Sequence, residues 1–589
     1  MTLHGSDPSS PSSARLLLFS CLGLALASSA CSGDDSPSDD EAAGDTSTED
    51  TDTDSDTDTG SDTGSGSDST TGGQGDPLDA EAIARIEDAV ELTLGTGYAT
   101  GCSVAIWRDG AVIYAEGFGT KNEADELVTP DTLFQIGSDT KKMTAIALLR
   151  EVDAGALELD STLAEFLPGL ELEASPGVFD TLTVDRLLSH RSGLFDYTPF
   201  DDAPDDAELQ ARTYAEFAAN EYAMVPPGVA WSYSNPNYTL AGVLTEALAE
   251  RPWADVVIDD VAAPLDMDHT YARRDDMLAS EVDIASGFGP ILSSELDTFS
   301  LLAQLAIEEG PADWTSPEDH ADNAFTRPAG LVWSTATDMA KLGGFLIEGD
   351  EAVLSDELRE QMQVGQAALG PGIDPETLGY GYGVMAARGF NGPQGYRDVR
   401  VVQHGGNTLD MTSTFVMLPD QGVVVSVLSN GSGDDMSLVA AVALEEAAEA
   451  NLPEPSEPTT PYDPPAEDLS VYAGAFGSVE LGEASIAWSG SELEIEVPLL
   501  AQLEVELAPA MTPVARDVFV LSSEAGEFEV AFYPGLDATP NRYLVNRSFA
   551  FTRDAEEGNG ILPLQLLAPM KPARSRPLSP PRWARTRAL

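Results

Sequence analysis

The chain has 589 residues, enough for more than one domain, and 42% of them are hydrophobic, so it can bury a sizeable core. Its 29 basic against 101 acidic residues leave a formal net charge of −72, which argues against nucleic acid and anionic surfaces as partners. The three cysteines, at 21, 31 and 102, offer the mature chain no disulfide framework, and Cys102 reads as a small apolar strand residue.

Arg15 precedes a short apolar run, Leu16 to Ala27, that ends in Ser28-Ser29-Ala30-Cys31. Residues 1–31 therefore read as a secretory signal, too short to span a bilayer. Ala30-Cys31 resembles a bacterial lipoprotein cleavage box, with Cys31 as the lipidated residue, although Ser28 stands where leucine is usual. Plain cleavage after Ala30 fits as well. Export across the inner membrane is expected either way; lipidation would tether the protein in the cell envelope, at the outer membrane or in the periplasm. Membrane contact is expected only through that anchor. Residues 32–77 are Ser, Thr, Asp and Gly almost without apolar side chains and cannot pay for folding. A neutral flexible chain of this length spans about 35–40 Å, and like charge lengthens it.

A folded domain is expected over 78–450. Ala80 to Leu94 has helical spacing. Gly101 to Trp107 and Ala111 to Ala115 read as strands joined by the hairpin turn Asp109-Gly110. A helix starts at Ser138, others run over Thr239 to Ala249 and from Met339, and a long one over Asp434 to Ala450. Arg400 to His404 reads as a strand broken by Gly405-Gly406, and Thr414 to Leu418 with Val423 to Leu428 as a hairpin. Strands near both ends with helices between them predict an α+β domain of three layers around an antiparallel sheet. A Pro- and acid-rich linker follows at 451–467. Residues 468–553 carry short runs (Leu493 to Val497, Val518 to Leu521, Phe528 to Phe532, Tyr543 to Phe551) that predict a small all-β barrel or sandwich. Residues 554–589 turn basic and Pro-rich and read as a disordered tail.

The chemistry centres on Ser138-Asp-Thr-Lys141. A serine at a helix start with a lysine one turn on can be a nucleophile beside its base, if the amine is desolvated enough to shed its proton. An N-cap serine beside a surface lysine would look the same. Two things favour the first reading: of five lysines (121, 141, 142, 341, 571) no other lies three after a serine, and partner motifs follow. These are Tyr233-Ser-Asn235 and His404-Gly405-Gly406.

Their order resembles the serine β-lactamase and penicillin-binding-protein superfamily, in its class C β-lactamase-like branch of esterases and D-amino-acid peptidases. The resemblance implies Ser138 as acylated nucleophile, Lys141 and Tyr233 sharing base and acid work, and Asn235 binding a substrate amide or carbonyl. It implies an oxyanion hole from the backbone N–H groups of Ser138 and Asn407, with Gly405 and Gly406 letting a substrate pair along the strand edge. His404 stands where class C β-lactamases carry a lysine, a softer and pH-dependent charge for a substrate carboxylate. Asp410 stands where many relatives carry glycine, and its charge would repel such substrates. Residues 468–553 resemble a lipocalin-like β domain. The expected partner is a small-molecule or peptide substrate: ester first, then D-amino-acid amide or peptide, then β-lactam. The competing reading is a non-catalytic penicillin-binding-like module. No histidine spacing suggests a metal, and no cofactor is expected.

Overall fold

The computed structural model describes residues 78–554, apart from 95, 173–174, 200, 204, 221–222, 281, 291–297, 300–310, 459, 479–480, 503–504 and 524–525. The leader with Cys31, the spacer to 77 and the basic tail beyond 554 lie outside the described residues.

Eight strands form the central sheet: β1 (Gly101–Arg108), β2 (Ala111–Gly119), β3 (Ala367–Ala368), β4 (Leu378–Tyr380), β5 (Met385–Gly392), β6 (Gly395–Asn407), β7 (Thr412–Leu418) and β8 (Val423–Ser429). Their order is β2-β1-β8-β7-β6-β5-β4-β3, and every neighbour is antiparallel. The two ends of the domain meet in the second and third strands of the sheet, where Cys102 lies opposite Ser429 and Arg108 opposite Val423. β8 is buried along its whole length, as its unbroken Val423-Val-Val-Ser-Val-Leu428 run requires of a strand covered on both faces.

Successive residues of β1 and β8 serve opposite cores. Val104, Ile106, Val425 and Val427 face α1 (Ala80–Leu94) and α5 (Ser437–Ala448). Ala105, Trp107, Val424 and Leu428 face the larger helical layer, which contains α2 (Thr140–Asp153), α3 (Asn235–Ala249) and α4 (Ala336–Glu348). This is the expected three-layer α+β domain. Cys102 lies inside it, where burial pushes its thiol up to about 12. α5 starts later than the sequence predicts because Asp434 turns back to accept the N–H groups of Tyr98 (2.8 Å) and Ala99 (2.5 Å). α3 starts earlier, with Pro236 in its first turn, where no N–H is missed.

The C-terminal strands β9 (Gly474–Ser478), β10 (Gly482–Trp488), β11 (Leu493–Glu496), β12 (Ala510–Ala515), β13 (Val518–Ser523), β14 (Gly526–Tyr533), β15 (Tyr543–Asn546) and β16 (Phe549–Arg553) close into an antiparallel barrel in chain order. Tyr472, Phe476, Phe519, Phe532 and Phe551 fill it. Closure removes the exposed edges that a sandwich of short strands would leave. The run expected as one strand from Tyr543 to Phe551 is a hairpin. Asn546 Oδ1 accepts the Ser548 N–H at 3.0 Å, and this Asx turn reverses the chain at Arg547. The barrel rests on the sheet domain through Val545 and Ala550 against Met224, Val225 and Ala230.

Candidate active site

Phe134-Gln135 pairs with Trp333-Ser334, and the chain then turns through a single 3-10 turn, Gly137–Asp139, into α2. Ser138 thus projects, partly exposed, from the N-terminus of a buried helix. The turn lies against the end of β6. A Cβ on Gly137, whose φ is +53°, would fall 2.6 Å from the Asn407 nitrogen. A Cβ on Gly406 would fall 2.0 Å from the Ile136 oxygen and 2.8 Å from the Ser138 nitrogen. Gly406 must therefore be small for the serine turn to approach, a demand beside the substrate pairing expected of it. Gly405 and Gly406 pair with Thr414 and Ser413 on the β7 side. On the other side β5 begins at Met385, opposite Gln403, so among the described residues no strand covers 404–407 there. The backbone of Ser138 and of Asn407 is adjacent at this open edge, and the Asn407 side chain is held by the Thr412 hydroxyl at 3.0 Å.

A second contact fastens the turn. Asp139 forms a fully buried ion pair with Lys142 and accepts the Ser413 hydroxyl at 2.5 Å. Burial pushes the Asp139 carboxyl up, and Lys142 and Ser413 pull it back down. The Lys142 ammonium also lies 4.1 Å from the centre of the Phe415 ring.

Lys141 Nζ lies 3.0 Å from Ser138 Oγ, 2.7 Å from Asn235 Oδ1 and 2.7 Å from the Ala329 carbonyl. Its side chain is completely buried. Asn235 donates in turn to Thr198 Oγ1 at 2.9 Å. The carboxamide expected to meet a substrate thus orients the lysine. The Ala329 carbonyl, in the short helix Arg327–Gly330, completes the set, and nothing local in the sequence marked it.

Tyr233 comes from the loop before α3, with its ring centre 4.9 Å from Lys141 Nζ. The loop is shaped by His190, which is fully buried and stacks 4.3 Å from the Tyr233 ring. His190 Nδ1 accepts the Ser234 N–H at 3.2 Å and faces Asn237 Nδ2 at 3.0 Å, so it is the unprotonated nitrogen. Burial, with Lys141 and His404 nearby, holds His190 well below the usual histidine range.

The charge expected of His404 is corrected by its surroundings. Its Nδ1 lies 2.7 Å from the Gly405 carbonyl, which can only accept, so Nδ1 carries the proton. Nε2 then accepts from the Tyr380 hydroxyl at 2.9 Å. Burial and the nearby Lys142 and Lys141 hold the imidazole well below its ordinary value, hence neutral. The Asp410 carboxyl is buried over Gly287 and lies 3.4 Å from His320 Nδ1.

One further residue reaches this site from the C-terminal barrel. Arg547, at the barrel hairpin, pairs with Asp196 and lies 5.1 Å from the centre of the Tyr233 ring.

The beta-lactamase family model matches residues 86–449, from within α1 to just past the end of α5. Among curated proteins, penicillin-binding protein 4 of Amycolatopsis lactamdurans is 27% identical over 64% of this chain and 92% of its own length. An unguisins hydrolase of Aspergillus campestris is 26% identical over 61% of this chain and 63% of its own length. Among solved structures, SurE superposes with a TM-score of 0.57 at 23% identity, covering 80% of this chain and 99% of that one. The octameric penicillin-binding protein homologue of Pyrococcus abyssi has a TM-score of 0.50 at 22% identity, covering 80% and 100%. Both likenesses are of fold. A match running from α1 to the end of α5 makes this chain a member of the beta-lactamase family.

Proposed function

We propose that the protein is an exported serine hydrolase that works through an acyl-enzyme on Ser138, with an ester or a D-amino-acid amide or peptide as substrate. The observation that carries the reading is the partner set of Lys141. Two of the oxygens it meets, on Asn235 and Ala329, can only accept. Once the amine sheds a proton, its two remaining hydrogens stay on them and its lone pair turns to Ser138 Oγ, 3.0 Å away. The serine proton then moves to Nζ as Oγ bonds the substrate carbonyl carbon. The backbone N–H groups of Ser138 and Asn407 stabilise the resulting oxyanion; in other enzymes one such donor is worth roughly 10²–10³ in rate. As the carbon–leaving-group bond breaks, the proton returns to the departing oxygen or nitrogen through Lys141 and Tyr233 acting as a unit. Water releases the acyl group by the reverse route.

The open edge at 404–407 suits an extended substrate, which would pair there as an added strand. An unguisins hydrolase stands among the relatives, which supports a hydrolase reading. His404, neutral and bonded to Tyr380, offers no charge to the carboxylate that penicillins carry, which places β-lactams last.

The test is turnover of p-nitrophenyl esters, D-alanine p-nitroanilide and a chromogenic cephalosporin by wild type and Ser138→Ala. Ester or anilide turnover lost in the variant supports the reading. No turnover of any of them, with no acyl adduct, leaves the non-catalytic binding module.

A further inference from the structure

The sheet domain holds the nucleophile and its partners, yet the barrel also touches them at Arg547. Asp196 Oδ1 accepts the backbone N–H of Asn235 at 2.7 Å, and Asp196 Oδ2 accepts the Arg547 guanidinium through Nε at 3.0 Å and through Nη2. The main chain closes the same contact, since Asp196 N–H donates to the Arg547 carbonyl at 3.2 Å. Asn235 opens α3, and Ser234, its N-cap, makes no side-chain cap. Asp196 therefore serves as the helix's cap from outside, an anion at the positive end of the dipole. Asn235 in turn holds Lys141, which holds Ser138. A continuous set of hydrogen bonds runs from the barrel to the nucleophile. The guanidinium also lies over the Tyr233 ring, beside a cavity of about 170 Å³ between the domains that Trp231, Met385 and Tyr533 help to line.

We propose that Arg547 is a positioning residue of the hydrolase site, so that the barrel completes the site rather than hanging beside it. The inference rests on the acyl-enzyme reading of Ser138. Asp196 is only 7% exposed. Without Arg547 its carboxylate loses the counter-charge and the two guanidinium N–H groups that converge on Oδ2 and fix its direction. It then turns toward solvent, α3 loses its cap, and Asn235 no longer aims Lys141 at Ser138.

The experiment measures the rate of acylation of the full chain by a fluorophosphonate, with adduct mass on Ser138 as readout, alongside thermal unfolding. Arg547→Ala is expected to slow acylation at least tenfold. Arg547→Lys, which keeps a cation and one donor, should recover part of the loss. Asp196→Asn should slow it similarly, and the double variant Asp196→Asn/Arg547→Ala no further than the worse single variant, because the two act through one contact. Met224→Ala loosens the apolar docking of the barrel without touching Arg547 and should stay within twofold of wild type. Acylation of Arg547→Ala within twofold of wild type overturns the inference. So do independent losses that multiply in the double variant, or a Met224→Ala protein as slow as Arg547→Ala at the same loss of melting temperature. An unlabelled wild type removes the acyl-enzyme reading and this inference with it; a labelled wild type matched by Arg547→Ala removes this inference alone.

Discussion

Lys142→Met asks what the buried ion pair under the serine contributes. Met matches the lysine stem in length, so packing against Phe415 is largely kept and the main loss is the charge facing Asp139. Removing one partner of a buried pair typically costs about 3–5 kcal/mol. The stranded carboxyl escapes by taking a proton, which sets a ceiling. Holding a group of ordinary pKa 3.8 protonated at pH 7 costs about 1.36 × 3.2, or about 4.4 kcal/mol. At pH 5 the same ceiling is about 1.6 kcal/mol. The sign follows from linkage: a folded pKa raised above the unfolded one means that the folded state binds more protons, so stability falls as pH rises. Urea unfolding of the variant should show a loss of about 4 kcal/mol at pH 7 that shrinks to about 1.5 kcal/mol at pH 5. Asp139→Asn/Lys142→Met should recover part of the pH 7 loss and lose the pH dependence. A deficit below about 1 kcal/mol at pH 7, or one equal at both pH values, would refute the account of the pair.

Gly406→Ala should push the serine turn off β6; a loss of about 1–3 kcal/mol in urea and a steep fall in fluorophosphonate labelling are expected, and a variant that labels like wild type contradicts the packing described. Lys141→Met should slow acylation roughly 10²–10⁴-fold with little change in fold by circular dichroism, and Asn235→Ala should fall between it and wild type. His190 and His404 are both held neutral with pKa values below 6.5, so the folded state binds fewer protons than the unfolded one. Their contribution is present above pH 6.5 and lost as pH falls below it, by at most about 1.36 kcal/mol per pH unit each; His404→Gln should flatten that slope in pH-dependent urea unfolding, and an unchanged slope argues against a neutral His404.

Much of this was legible in the chain because it is local. Ser138 and Lys141 are one helical turn apart, so spacing alone places the amine beside the hydroxyl. The β1–β2 hairpin and the β7–β8 hairpin are written in apolar, β-branched runs joined by turn glycines. What the sequence withheld depends on tertiary surroundings. His404 looked like a cation because its burial and its Tyr380 partner are set by tertiary structure, with Tyr380 on β4 and His404 two strands away on β6. The close approach of Ile136 to Gly406 was hidden because the two are 270 residues apart in sequence. The Arg547–Asp196 pair spans 351 residues, and Arg547 sat inside what read as one strand. Its polar neighbours Asn546 and Ser548 were the available signal for a turn.

The central claim is that Ser138 is a nucleophile activated by Lys141, and intact-protein mass tests it most directly. Exposure to a fluorophosphonate, and separately to a penicillin, followed by mass measurement is the experiment. The account predicts a single covalent addition from the fluorophosphonate on wild type that is absent from Ser138→Ala and slow on Lys141→Met. A wild type that keeps its unmodified mass with both reagents, or an adduct that persists in Ser138→Ala, would contradict it.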